Sequence, residues 1–545
     1  MNRFINILST LLLLAGFILG GCYKDLGNYQ YAPVNELRID TFPYGMTVFQ
    51  YDTIRLTPKV TATIDKVATD DTARFGYRWV LGTPDSSATG TEYQQLATTF
   101  NLNAKVVVGA GVYGLYFEIK DKQTKQVFMR HMNKVTVASS TYEGWLVLSD
   151  ISGNARLDMI NYVNGKSMFT SDILSGSPDL PKPLKGPRKI CYYPTSNYNT
   201  IPSPAWVDAK GNQMAGGKEY IYLSTDQGSW KLRSDALITQ WAWNTWKEFL
   251  IPPADSASFS PGFIGAGEIP ANVNYIHVYD GKGNFYQRGP LNYFVTAKAN
   301  HMAGGDDFRA APFIGRAYSS AANDYAAMFD MDLKRFVRLA SSGVCVALTN
   351  PANPLFDFNN VGMDLVWMKT MSTLLNTYAI MKDPAGDMWL LVFDVRSTVT
   401  QNVKMKLDFP DIKNAKYFTI DKNYGTLYYA TDSKVYAVHK DYAGCYLLLD
   451  VGARKISWID QHTFTNYAKR YNGDPASGTN TTNLEPFMAN WLGVATYNPA
   501  DPDHSGKLNF YFSKSFQTEQ AVLVPKDEYS GFGKIVSVTY RERAQ

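Results

Sequence analysis

The sequence predicts an all-β protein in two parts, and three observations carry that prediction. Phe, Trp and Tyr together make up 14% of the residues. The apolar residues fall in short alternating runs bounded by Gly, Asp, Asn and Pro. A strand-and-turn unit recurs beyond Ser140. Aromatic residues suit pleated strands, and period-two alternation gives each strand one core face. A unit recurring about every fifty residues is expected when each repeat is a small antiparallel sheet stacked radially. The expectation is an N-terminal immunoglobulin-like β-sandwich over residues 36–139, then a β-propeller of six to eight blades, seven favoured, over 140–545.

The chain opens with Arg3 and an apolar run from Ile7 to Leu19, then Leu19-Gly20-Gly21-Cys22. A positive leader, an apolar middle and a small pair before cysteine read as a lipoprotein signal peptide, residues 1–21, cleaved before Cys22. Diacylglycerol on the Cys22 thiol and an acyl chain on the freed amine would give the multi-chain anchoring that stable attachment needs. The run is too short for the alternative, a transmembrane helix of roughly 20 apolar residues. Residues 22–35 read as a lipidated tether, and no second long apolar segment follows, so the rest is expected to be soluble and held at a membrane surface.

Between residues 36 and 139, strands are expected at Thr53–Val60, Phe75–Val80, Gly111–Asp121 and Asn133–Ala138. About 100 residues with a tryptophan in a middle strand suit a sandwich with Trp79 as its core plug. Seven related units follow, beginning at Trp145, Tyr220, Tyr275, Tyr325, Tyr378, Leu427 and Trp491. Asp280-Gly281 and Asp383-Pro-Ala-Gly386 suit hairpin turns, because Gly accepts positive φ and Asp bonds its own backbone. Ser224-Thr-Asp226-Gln-Gly228-Ser-Trp230 resembles the Asp-box of sialidase-like propellers, one residue short between Gly and Trp. That box is structural, so the resemblance implies a hairpin and a packed tryptophan.

Three groups of residues are candidate sites. Trp241, Trp243 and Trp246 form the densest aromatic patch, and on an extended strand Trp241 and Trp243 would share a face that stacks on sugar rings or apolar peptide side chains. A blade core is the competing reading. Asp501, Asp503 and Ser505, followed by Gly506, open like a calcium loop, but Phe512 stands where the closing Glu belongs. The alternatives there are a partial Ca2+ cage and a plain hairpin loop. Cys22 is the lipidation site. No nucleophile elbow, His-Glu-x-x-His helix, phosphate loop or Cys-x-x-Cys pair is present, so no catalytic residue is assigned and no cofactor is required. The six histidines show no ligand spacing. Carboxylates could still be paired in space from different blades for glycoside cleavage.

With 53 basic against 49 acidic residues and no block of like charge, nucleic acid is not an expected partner. Beyond Cys22, only Cys191, Cys345 and Cys445 occur, an odd and widely spaced set that argues against a disulfide framework.

The lipobox, the start Cys22-Tyr23-Lys24-Asp25-Leu26-Gly27-Asn28-Tyr29 and, before an aromatic repeat region, a sandwich whose Tyr113–Asp121 segment followed by Val135-Thr-Val137 is similar to a PKD-type closing hairpin resemble the PKD-like lipoproteins of Bacteroidota. The resemblance implies an accessory surface lipoprotein of a SusC/SusD-type outer-membrane uptake system that captures glycan or peptide. Lys24-Asp25 is similar to surface-export signals of that phylum, which implies the outer membrane with the body facing the cell exterior. Asp52-Thr-Ile, Asp71-Thr-Ala and Asp255-Ser-Ala resemble its O-glycosylation triplets. The alternatives are a propeller-type glycoside hydrolase or lyase, and a structural subunit that packs on the transporter without touching ligand.

Overall fold

The structure, a computed structural model, describes residues 35–541 apart from breaks, the longest being 195–205, 267–275, 289–297, 466–487 and 514–522. The chain is all-β, and it divides after Ala138 into two compact units.

In the first unit a five-stranded sheet runs in the order Met46–Phe49, Val127–Ala138, Gly111–Asp121, Phe75–Gly82, Glu92–Ala97. Two ribbons, Leu37–Ile39 with Val60–Ala62 and Thr53–Leu56 with Leu102–Lys105, supply Leu37, Ile54 and Leu102 to the same core. Trp79 is that core's centre. It is fully buried, its ring stacks on Phe117 at 4.2 Å, and its indole N–H donates to the Thr99 and Phe100 carbonyls at 3.1 and 3.2 Å. An indole can be buried so deeply because its one polar atom finds an acceptor.

The described residues of the second unit form seven antiparallel sheets, besides a short ribbon of Trp206–Val207 with Gln213–Met214. The second strands of the seven sheets are Gly144–Ile151, Glu219–Thr225, Ile276–Tyr279, Asp324–Asp330, Thr377–Lys382, Leu427–Ala430 and Met488–Tyr497. Each of the seven sequence units therefore marks the second strand of one sheet, which is buried along most of its length in Gly144–Ile151, Thr377–Lys382 and Leu427–Ala430.

The same chemistry ends every one of these strands. Asp150, Thr225, Asp280, Asp330, Asp383, Thr431 and Asn498 each accept a backbone N–H from the hairpin that follows: those of Gly153, Gln227, Lys282, Asp332, Asp387, Ser433 and Ala500. A short side-chain acceptor replaces a missing ladder partner at the turn, which is why Asp, Asn and Thr recur at this position. Gly281 and Gly386 have φ of 79° and 84°, the left-handed conformation their hairpins need.

Successive sheets share apolar clusters. Leu146 and Leu148 of the first sheet pack with Ile221 and Leu223 of the second. Phe285 joins the third to the fourth, Phe336 and Phe393 the fourth to the fifth at 4.6 Å, Leu390 and Phe418 the fifth to the sixth, and Val435 and Leu492 the sixth to the seventh. The first strands of the second and third sheets, Pro187–Pro194 and Phe263–Ala266, are also in contact. Trp145 of the first sheet packs with Trp491 and Phe510 of the seventh. Each large side chain buried in this way contributes about 1.5–3 kcal/mol.

The first sheet is completed from the far end of the chain. Lys534–Arg541 pairs antiparallel with Gly144–Ile151, Gly144 opposite Arg541 and Val147 opposite Val538.

Candidate functional site

The first strand of each sheet lies beside the first strand of a neighbour, and this brings polar side chains from distant parts of the sequence together. Asp460, on the seventh sheet's first strand Lys455–Thr465, is the centre of the group. Its Oδ1 accepts three hydrogen bonds: from Lys369 Nζ at 3.0 Å, from Thr419 Oγ1 at 2.8 Å and from the Gln461 N–H at 2.8 Å. Lys369 belongs to the fifth sheet's first strand, Asp364–Thr370, and Thr419 to the sixth's, Tyr417–Ile420. Three sheets thus fix one carboxylate oxygen.

The other oxygen is placed differently. Asp460 Oδ2 faces His462 Nε2 at 3.8 Å, beyond hydrogen-bond length, and the side chains of Lys369, Asp460 and His462 are 21%, 30% and 18% exposed. The His462 ring is held edge-on to Trp145 at 5.3 Å and tilted against Trp458 at 5.6 Å. Burial works to raise the Asp460 carboxyl, but the charges of Lys369, His462 and Lys189, with the Thr419 hydroxyl, outweigh it and hold the carboxyl well below the usual carboxylate range. Lys189 sits on the second sheet's first strand, Pro187–Pro194. Gln461 extends the group inward: its N–H also donates to Thr419 Oγ1 at 3.1 Å, and its Nε2 approaches the buried Asp421 carboxylate at 3.5 Å.

Such an arrangement offers a fixed, ionised acceptor beside two lysines, reachable by solvent. It can receive hydroxyl or N–H donors and attract an anion. A carboxyl held ionised does not serve as a proton donor at neutral pH.

The residues singled out in the sequence have other places. Cys22, Trp241, Trp243 and Asp255 lie outside the described residues. Trp246 lies on a single helical turn, Thr245–Glu248, half-buried, with Lys247 Nζ 5.5 Å from its ring. In the calcium-like loop Asp503 accepts both the backbone N–H and the hydroxyl of Ser152, Asp501 pairs with His504 at 3.0 Å, and the Ser505 hydroxyl donates to the Asp501 carbonyl. The acidic side chains of this loop therefore point to separate partners, and among the described residues no group of three or more His, Cys, Asp or Glu is arranged to hold a metal. In the Asp-box-like hairpin Asp226 accepts Arg188 Nε at 2.6 Å and Trp230 is buried in the cluster joining the first two sheets. Among the described residues Cys191, Cys345 and Cys445 form no disulfide. Burial pushes the Cys345 thiol up to about 12.

Asp460, Lys369, Thr419 and Lys189 were not legible as a site because 91 residues separate Lys369 from Asp460 and 41 separate Thr419 from it. The one available signal was a charged residue, Asp460, in the middle of a first strand between Ile459 and Gln461.

Residues 22–177 match the model of the PKD-like family, a span that covers every described residue of the first unit and enters the first sheet of the second. No curated protein matches the sequence. Among solved structures, a DUF4784 family protein from Bacteroides caccae is 8% identical, with 92% of this chain and 98% of that one covered and a TM-score of 0.25. Apo AztD from Citrobacter koseri is 10% identical, with 86% and 98% covered and a TM-score of 0.32. The Aleuria aurantia lectin is 8% identical, with 77% and 92% covered and a TM-score of 0.27. Among the described residues no helix is long and apolar enough to cross a membrane.

Proposed function

We propose that this chain is a lipid-anchored cell-surface protein whose second unit is a seven-bladed β-propeller, and that it binds a glycan or peptide as an accessory subunit of a SusC/SusD-type outer-membrane uptake system. The propeller reading is supported by the seven sheets, the contacts between neighbouring sheets and the first sheet completed by the last strand. The anchoring reading is supported by Leu19-Gly20-Gly21-Cys22. The observation that carries the binding reading is the Asp460 carboxylate, fixed by donors from three sheets and still partly exposed. Strands converging from several blades form a rigid concavity that needs little ordering when a ligand arrives.

Calorimetry of the mature protein against glycan and peptide panels tests this reading. Binding that Asp460→Asn weakens at least tenfold is the expected result. No binding by any member, together with co-purification with a transporter, would instead favour the structural subunit. The enzyme alternative has one observation in its favour, the link from Asp460 through Gln461 to the Asp421 carboxylate. Release of reducing sugar that depends on Asp460 or Asp421 would establish it.

A further inference from the structure

An indole beside the Asp460 group narrows the ligand. This inference rests on the binding reading above and goes further by naming a chemical class and a second contact. We infer that Trp367 and Asp460 form one saccharide subsite, in which a pyranose ring lies on the open part of the indole while one of its hydroxyls donates to Asp460 Oδ2.

Three observations carry it. First, Trp367 and Asp460 are tied to the same pair of strands. Trp367 stands two residues before Lys369 on the fifth sheet's first strand, in unbroken register with the second, so both side chains leave one face of it. Met368 between them packs with the fourth sheet, whereas Trp367 packs with the sixth, its ring 6.2 Å from that of Phe418. Phe418 is followed by Thr419, whose hydroxyl donates to Asp460, and Lys369 Nζ reaches the same carboxylate. Second, the indole is only half-buried, unlike Trp145, which is fully buried, and Trp458, which is 8% exposed. Its strand has one edge closed by Thr377–Lys382, and Phe418 lies against its ring, so the open part is on the side of the neighbouring first strands, where Asp460 sits. Third, Asp460 Oδ1 is engaged by Lys369, Thr419 and the Gln461 N–H, whereas among the described residues Oδ2 accepts no hydrogen bond and stands 3.8 Å from His462. The group therefore offers a flat apolar surface and a fixed acceptor. A pyranose carries an apolar C–H face and hydroxyl donors on one rigid ring, so it meets both with little ordering. A peptide must bring a side chain and a separate donor into place.

The mature protein would be titrated by calorimetry and tryptophan fluorescence with oligosaccharides of glucose, mannose, galactose, xylose and the uronates, alongside a peptide panel. The expected result is one-to-one binding of at least one oligosaccharide with a fluorescence change. Trp367→Ala and Asp460→Asn should each weaken it at least tenfold, and Trp367→Tyr, which keeps a flat ring, at most threefold. Trp389→Phe, on the third strand Met388–Asp394 of the same sheet, should leave affinity unchanged.

Trp367→Tyr keeps the test sound if Trp367→Ala misfolds: the fluorescence change should fall by at least half while calorimetric binding persists, and a full fluorescence change in this variant would overturn the indole contact. Saccharide binding lost in Asp460→Asn but unaltered in Trp367→Ala would overturn the subsite and leave the binding reading intact. Binding of peptides alone, lost in Asp460→Asn, would overturn the saccharide class and again leave that reading intact. Saccharide binding indifferent to both substitutions would overturn the placement at Asp460. No binding by any panel member would overturn the inference and the binding reading together.

Discussion

Trp145→Ala gives the sharpest test of how the second unit holds together. The indole is fully buried, stacks on Phe510 of the seventh sheet at 4.1 Å and meets the Tyr540 ring of the last strand edge-on at 4.8 Å. It therefore lies where the two ends of the unit's chain join. Truncating such a side chain removes its burial and leaves a cavity, at a cost of about 3–5 kcal/mol. Unfolding entropy for roughly 400 residues at about 2.1 cal/mol/K each comes to about 0.85 kcal/mol/K, so the melting temperature of this unit should fall by about 4–6 °C. Differential scanning calorimetry of the wild type, of Trp145→Ala and of Trp79→Ala is the assay. Trp79→Ala, equally buried but in the first unit, should lower a separate transition and leave the larger one in place. A drop below about 1 °C for Trp145→Ala would refute the reasoning, since the cavity cost then could not reach 1 kcal/mol. An equal shift of one common transition in both variants would refute the separation of the two cores.

Four further outcomes are expected. His277 is buried beside Arg316, and its imidazole is held down to about 3 from an ordinary value near 6.5. The unfolded chain then binds the extra proton first, so stability falls as pH drops from about 6.5 toward 3, and His277→Gln should flatten urea midpoints across that window. Cys345 should react with a thiol reagent only on unfolding, because its Sγ is buried and donates to the Ala299 carbonyl at 3.1 Å; labelling at the native rate of Cys191 would contradict this. Millimolar calcium should leave the melting temperature unchanged, since Asp503 is engaged by Ser152 and Asp501 by His504; a calcium-dependent rise would instead show a cage at Asp501, Asp503 and Ser505. Cys22→Ser should abolish incorporation of labelled palmitate and leave the leader attached by mass, and label retained in the variant would refute lipidation at that residue.

The sequence made the architecture legible to an unusual depth and the site hardly at all, for one physical reason. A strand and its hairpin are local: alternation in Tyr325–Asp330 and the turn acceptor Asp383 act within a few residues, so both can be read from neighbours in the chain. The first strands carry fewer such signals, because their partners come from other sheets. Lys369 and Asp460 look like ordinary strand charges until Thr419 and Lys189 are set beside them. Trp246 shows the opposite hazard, since an aromatic run that reads equally well as a strand ends in a helical turn.

The partnership of Gly144–Ile151 with Lys534–Arg541 also bears on how the molecule comes into being. A chain that folds as it is made, N-terminus first, presents the opening sheet early and the strand that finishes it late. Almost four hundred intervening residues must be in place before that seam can zip. Until then Trp145 and Val147 lack the strand they pack on, so the unfinished unit carries an apolar margin that a chaperone or a neighbouring copy could seize. Completion of the opening sheet therefore waits on the eight-residue strand Lys534–Arg541.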